Sequence, residues 1–342
     1  MSYIKNRIFV LLAAAASLTA SIAGAAEICE CGFIVGGDYL YWSPCLSNMH
    51  FAAEGEAPLT DAENVVTYHF IGSDWDPGFR VFLGKEDLFG CFDVMATYTN
   101  FNSTHTADAY NESPLLSSTW PTPVPVENNA YATAYWKIDF QRVELTAGYS
   151  IEFGRGCGLH LQPFAGVDYA TISQDRIDEM LDVIPVETGD NQVSPTLSNT
   201  MTRSLDYKGV GPMVGLGYTF ELCEGLATFG RASISVLVGE ADIKDNQEIF
   251  DNRGEVPETI TNIQNYKDNC VCVPGVHLQT GFSYRACICN SWLVLRVGYE
   301  YLQWIDAPSF LLYNTASPGS FTGLNRNSVT FQGFFGGIAY SF

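Results

Sequence analysis

Ser291-Trp292-Leu293-Val294-Leu295-Arg296-Val297-Gly298-Tyr299-Glu300-Tyr301 alternates along most of its length. Leu293, Leu295, Val297, Tyr299 and Tyr301 fall on one side of an extended chain; Arg296, Gly298 and Glu300 fall on the other. Successive strand side chains point to opposite faces, so this is a β-strand with one apolar and one polar face. Two environments suit it: a soluble sandwich with the apolar face inward, or a membrane barrel with that face toward lipid. The chain's last residues, Ile338-Ala339-Tyr340-Ser341-Phe342, decide between them together with the loop lengths. With Phe334 they form an alternating apolar face that ends on a terminal aromatic, a closing strand that leaves no open sheet edge.

The same alternation recurs upstream. Ala232, Ile234, Val236 and Val238 oppose Arg231, Ser233 and Ser235, and Phe92, Val94, Ala96 and Tyr98 oppose Asp93, Met95 and Thr97. Strands are expected at 33–42, 66–85, 91–101, 131–153, 159–173, 204–222, 226–241, 271–285, 291–305 and from about 327 to Phe342. Short turns join alternate pairs: Glu86 to Gly90, Gly154 to Gly158, Cys223 to Gly225 and Ala286 to Asn290. The other connections are long and polar, and all of them fall on one side. Outer-membrane barrels sort their loops this way, with short periplasmic turns and long outer loops. The expected fold is therefore all-β, an antiparallel up-and-down transmembrane barrel of about ten strands, with eight to twelve as bounds. One strand breaks the rule. Trp136, Ile138 and Phe140 set an even apolar register, whereas Val143, Leu145, Ala147 and Tyr149 set an odd one. With no turn residue at Gln141-Arg142, a one-residue β-bulge is expected there; a turn would change the strand count.

The first residues address the chain outward. Lys5 and Arg7, an apolar run from Ile8 to Ala20 and the small residues Ala23-Gly24-Ala25 make a secretory signal over 1–25, cleaved at 25 or 26, leaving 26–342 as the barrel. The apolar run is too short for the ~20 residues of a spanning helix. Aromatics reach 13% while charged residues fall to 16%, a balance that suits a barrel with aromatic girdles. Formal charge is −21, and −23 without Lys5 and Arg7, so a phosphate backbone finds no basic field and nucleic acid is excluded as a partner.

Several short segments resemble the Legionella-type major outer membrane protein family. They are Gly37-Asp38-Tyr39-Leu40-Tyr41-Trp42, Trp75-Asp76-Pro77-Gly78-Phe79-Arg80-Val81, Leu161-Gln162-Pro163-Phe164-Ala165-Gly166, Gly209-Val210-Gly211-Pro212 and Gly298-Tyr299-Glu300-Tyr301 with the closing strand. The resemblance implies an outer-membrane location and a porin or abundant surface protein. The richness in cysteine is similar to that of chlamydia-like members, whose envelopes rely on disulfide cross-links.

No catalytic constellation stands out, so no enzyme activity and no cofactor are expected. The five histidines are scattered, and the Cys-x-Cys pairs do not match zinc spacing, so no metal site is expected either. By strand parity Asp38, Arg80, Asp93, Arg142, Glu144, Asp168, Arg231, Arg296 and Glu300 face the interior. Two readings stay open. Charges of both signs on a lumen wall can filter ions in a diffusion pore. They can also fill a narrow barrel as salt bridges and plug it, leaving a structural or adhesive surface protein. Five long loops together carry −15, which in a conducting pore would favour cations at the outer mouth at low salt.

All ten cysteines are disulfide candidates in an oxidising compartment. Cys29, Cys31, Cys91, Cys157, Cys223, Cys287 and Cys289 fall near the periplasmic turns, with Cys45, Cys270 and Cys272 near the outer rim. Neighbouring turns need not come within the Cα separation a disulfide requires, so links to other envelope proteins are expected alongside local pairing. The expected partners are thus outer-membrane lipid, disulfide-linked envelope proteins and, as an open alternative, further copies of the chain.

Overall fold

The structure, a computed structural model, describes residues 32–47, 49–55, 67–88, 92–110, 115–118, 130–153, 158–182, 197–223, 225–252, 258–288, 291–313 and 321–342. The expected signal segment, Cys29, Cys31, Cys91, Cys157 and Cys289 lie outside these residues.

Every regular element among the described residues is a strand. In chain order they are β1 (Phe33–Leu46), β2 (His50–Gly55), β3 (Thr67–Phe70), β4 (Asp76–Leu88), β5 (Phe92–Tyr110), β6 (Leu115–Ser118) and β7 (Ala130–Tyr149). Next come β8 (Ile151–Phe153), β9 (Leu159–Asp182), β10 (Leu197–Cys223), β11 (Leu226–Asp251), β12 (Glu258–Ile288), β13 (Ser291–Tyr313) and β14 (Phe321–Ser341). Ten of them, β1, β4, β5, β7, β9, β10, β11, β12, β13 and β14, close an antiparallel ring in that order. The seam joins β14 to β1 from Ile34↔Ser341 to Leu46↔Val329, and Phe33 and Phe342 exchange backbone hydrogen bonds at 2.8 and 2.9 Å. β2, β3 and β6 form a separate small sheet, and β8 lies along β9.

Four strands, β9 to β12, run for 24, 27, 26 and 31 residues. A tilted strand needs only ~9–11 residues to cross a bilayer. Much of the wall therefore stands outside the membrane, and stretches expected as loops (102–110, 174–182, 197–203, 242–251 and 258–270) are strand instead. Their outward positions are mostly polar because they meet water, with Ile177, Ile260 and Ile263 as exposed exceptions, and in the sequence that polarity looks like loop.

β7 shows how. No bulge interrupts it: Gln141 and Arg142 pair in unbroken register with both β5 and β9. Even positions point inward throughout, so Trp136, Ile138 and Phe140 are buried in the upper interior together with Arg142 and Glu144 below. Odd positions point outward, with Val143 and Leu145 exposed on the lower wall and Lys137, Asp139 and Gln141 on the upper. The register never slips; the chemistry of the two faces changes places. Below, the outside is apolar and the inside charged. Above, the outside is polar and the inside apolar, as in a soluble barrel. β9 makes the same exchange, outward Val167 and Tyr169 giving way to Thr171, Ser173 and Asp175. A bulge does occur, but in β12, where Gly239↔Val271 is followed by Ala241↔Asp268.

The expected strand 66–85 is likewise two elements, β3 and β4, separated by the irregular stretch 71–75. Trp75 from that stretch lies on the outer surface, its ring 5.5 Å from Tyr41 and 5.7 Å from Phe334, which in turn meets Tyr299 at 5.2 Å. Such a belt marks the outer membrane–water boundary.

Ring closure is not uniform with height. β12 pairs with β11 from Glu258 onward but with β13 only from Gly275 onward. Above Trp304, β13 turns inward through register shifts at Ala307 and Leu311. Asp306, at φ 56°, is the non-glycine residue with positive φ among the described residues. Ala307, Phe310 and Leu311 join the upper apolar core. The small sheet covers the mouth nearby, with Phe51, Ala52 and Leu116 in the same core and the Arg176 side chain donating to the His50 carbonyl at 2.8 Å.

Candidate functional site: the barrel interior

Alternation along the ring strands delivers the side chains of the charged interior layer. Eight of the nine residues expected to face inward meet in one hydrogen-bonded layer on the lower, membrane-spanning part of the wall. Asp38 on β1 takes a bidentate pair of bonds from Arg296 on β13, each 2.7 Å, and a third from Arg80 on β4 at 3.2 Å. Arg80 continues to Glu300 at 2.8 and 3.0 Å. Glu300 also accepts from Trp42 Nε1 at 2.8 Å, Gln279 at 2.6 Å and His277 Nε2 at 3.1 Å. On the far side Arg142 donates two 2.9 Å bonds to Asp168 and one of 3.0 Å to His277 Nδ1. An arginine can only donate, so Nδ1 accepts and Nε2 carries the hydrogen that reaches Glu300. Glu144 closes the chain between Arg142 at 3.3 Å and Arg231 at 3.4 Å.

The layer crosses the lumen, because β7 and β12 are on different sides of the ring. Four guanidinium groups balance four carboxylates. The side chains of Asp38, Asp168 and Glu300 are 0% exposed and that of Glu144 is 2%. Each arginine also rests on an aromatic face: Arg80 on Trp42, Arg142 on Trp304, Arg231 on Phe164 and Arg296 on Phe82, at 4.2 to 5.9 Å. Charge removed from water at this depth is tolerable only when paired and hydrogen-bonded, as here. Asp93, the ninth residue, sits apart near the turns, accepting from Ser150 and Gln162.

Directly above is an apolar layer. Phe140 and Phe331 stack at 4.6 Å, Trp42 meets Phe101 at 5.5 Å and Phe331 at 5.7 Å, and Trp304 and Trp136 complete it, all fully buried. Trp42 belongs to both layers, its ring among the aromatics and its N–H on Glu300. Trp42, His277 and Gln279 were not singled out by sequence reasoning. Their signal was parity alone, since His277 and Gln279 share the inward register of β12.

Higher still, Arg176 and Arg203 flank Asp178 at 2.8 and 3.8 Å. Burial, and then the repulsion between the two guanidiniums, hold the Arg176 pKa below its ordinary value despite Asp178. On the wall between the layers Ser103 donates to Asp76 at 2.7 Å and touches His105 Nε2. His105 Nδ1 accepts from the Asp74 backbone N–H at 3.5 Å, so Nε2 holds the hydrogen and cannot take a proton from Ser103. No group of three or more potential metal ligands occurs among the described residues.

A family model described as Legionella pneumophila major outer membrane protein precursor matches residues 29–342. The chain belongs to the Legionella major outer membrane protein family. Its place is the outer membrane, as the girdled ten-strand ring requires. No curated protein matches. Among solved structures, the outer membrane protease OmpT from Escherichia coli is similar at 11% identity and a TM-score of 0.43, covering 93% of this chain and 99% of that one. A major outer membrane protein from Thermus thermophilus gives 11%, 0.29, 92% and 100%. A Pseudomonas aeruginosa FadL homologue gives 9%, 0.27, 92% and 90%. None of these likenesses carries an inference to the activity of this family member.

Cys45, Cys223, Cys270, Cys272 and Cys287 of this family member are free and exposed. Cys223 and Cys287 lie at the turn end of the ring. Cys270 and Cys272 sit on the outer surface opposite the Val238–Gly239 level, well below the rim, because β12 continues upward to Glu258.

Proposed function

We propose that this member of the family is a sealed outer-membrane barrel, a structural surface protein and neither a diffusion porin nor an enzyme. One observation carries the reading: a charge-balanced layer spanning the lumen, with its carboxylates removed from solvent and an aromatic layer stacked on it. A conducting pore keeps its charged wall wet so that ions can exchange hydration for contact. Here each carboxylate has spent that capacity on another side chain, while Arg231 and Arg296 keep 25% and 26% of their side chains exposed. The hydrogen placement at His105 argues against a serine nucleophile, the arrangement in the interior closest to catalytic chemistry.

Purified protein in a planar bilayer tests the reading. The expected trace is flat, without unitary steps, at neutral pH. Reproducible steps from the unmodified protein would return the porin reading, with the cation preference expected from the acidic outer segments. The exposed thiols at Cys223 and Cys287 fit links to neighbouring envelope proteins on the periplasmic side. Non-reducing gels of native envelopes should then show high-mass species that collapse with reductant, and monomer alone would remove that part of the proposal.

A further inference from the structure

We infer that residues 305–313 of β13, with 321–327 of β14 beside them, form an exchangeable lid over an apolar chamber that accepts an amphiphile with an anionic head. The lid and the free edge of β12 are two sides of one event. At Asp306 the strand leaves its neighbour, and β12 from Glu258 to Pro274 has no β13 partner among the described residues. In the closed state Phe310 and Leu311 belong to the same buried apolar cluster as Ile172, Met201, Leu205 and Ile243. The Phe310 ring lies 6.0 Å from the Arg203 guanidinium, whose buried Nε–H has no acceptor. Withdrawing Phe310 uncovers an apolar chamber with a cation at its wall, the pairing that an apolar body with an anionic head would satisfy.

The open state has a ready resting place. Continuing the Gly275↔Trp304 register upward sets Ala307 against Cys272 and Ser309 against Cys270, so the lid strand can zip onto the open edge and recover ladder bonds. Two features keep the closed state dominant. Of Pro274 and Pro308, three pairs apart in the zipped register, one lacks an N–H that the alternating ladder needs, and aspartate tolerates the left-handed backbone of the hinge. Exchange is thus weighted by the sequence without being forbidden.

Ser309→Cys tests it, using native Cys270 as the trap. In the closed state Ser309 is inside the wall and Cys270 outside; in the zipped state they are cross-strand partners within disulfide reach. Mild oxidation should link position 309 to Cys270, read by peptide mapping and abolished by Cys270→Ser. Adding Asp306→Val, which opposes positive φ, should speed trapping roughly tenfold, the factor corresponding to about 1.4 kcal/mol. The oxidised protein should bind 1-anilinonaphthalene-8-sulfonate, an apolar body with an anionic group, more strongly than the same sample reduced in the same detergent. No link, with Cys270 still open to a small alkylating reagent and the barrel folded, overturns the lid. A link without gain in probe binding overturns the chamber's ligand. The aromatic layer lies beneath the lid, so both redox states should stay silent in a bilayer. Steps from the unmodified protein would sink the sealed-barrel reading and leave the lid standing.

Discussion

Glu300→Gln removes one charge from the lumen layer while keeping the shape of the side chain. Glu300 accepts from Trp42, Arg80, His277 and Gln279, and its side chain is 0% exposed. The layer balances four arginines against four carboxylates, so the substitution leaves one buried positive charge without compensation. Breaking a buried ion pair from one side costs about 3–5 kcal/mol, most of it the penalty of the stranded partner. Arg80 is that partner. Asp38, its other neighbour, is already held by two bonds from Arg296. Neutralising both sides with Arg80→Met and Glu300→Gln should therefore recover a large share of the loss. Urea unfolding in lipid vesicles, followed by the mobility of unheated samples on gels, measures each step of the double-mutant cycle. A single-variant cost under about 1 kcal/mol, or single-variant effects that simply add, would refute the coupled layer.

Two further outcomes follow from the exchange of faces and from the small sheet. On β7, Leu145→Arg should destabilise the inserted barrel by about 2–4 kcal/mol, whereas Gln141→Arg, also outward but higher, should cost about 0–1 kcal/mol; equal costs would mean that the membrane boundary is misplaced. His50 in β2 is held below its ordinary 6.5 by burial first and then by Arg176 and Arg203, against a smaller opposing pull from Asp178. Its unfolded form therefore binds more protons just below pH 6.5, and stability of the small sheet is full above that value and declines as pH falls through it, levelling off below the folded pKa. Hydrogen exchange at 50–55 and 67–70, corrected for intrinsic rates, should show that decline, and His50→Phe should remove it.

Strand number and ring order were legible because the lower wall obeys one rule, apolar out and polar in, as in Leu293 to Tyr301. The upper wall obeys the reverse rule. Alternation alone is blind to which face is which, so Asp175 and Asp242 look like loop residues and Trp136 to Phe140 look like a slipped register. Eight of the inward charges meet because parity fixes their face. Their partners do not follow from parity. Arg142 and His277 are 135 positions apart and touch only across the closed ring. The departure of β13 from β12 was equally hidden, since Asp306 and Pro308 are ordinary residues for an exposed connection and Pro274 falls inside the strand expected at 271–285.

The reversal of the two faces also fixes how deeply the barrel floats. A shift of one outward residue per strand toward the periplasm would carry Gln141 and Thr171 and then Asp139 and Ser173 into hydrocarbon, with similar residues on neighbouring strands. Each polar outward residue drawn in adds a penalty of up to about 1 kcal/mol near the interface, and such penalties on neighbouring strands add. A shift the other way would lift Val143, Tyr169 and their neighbours into water. The immersion depth is therefore stiff in both directions. A bilayer of different thickness would have to deform around this protein, because the protein cannot ride up or down to meet it.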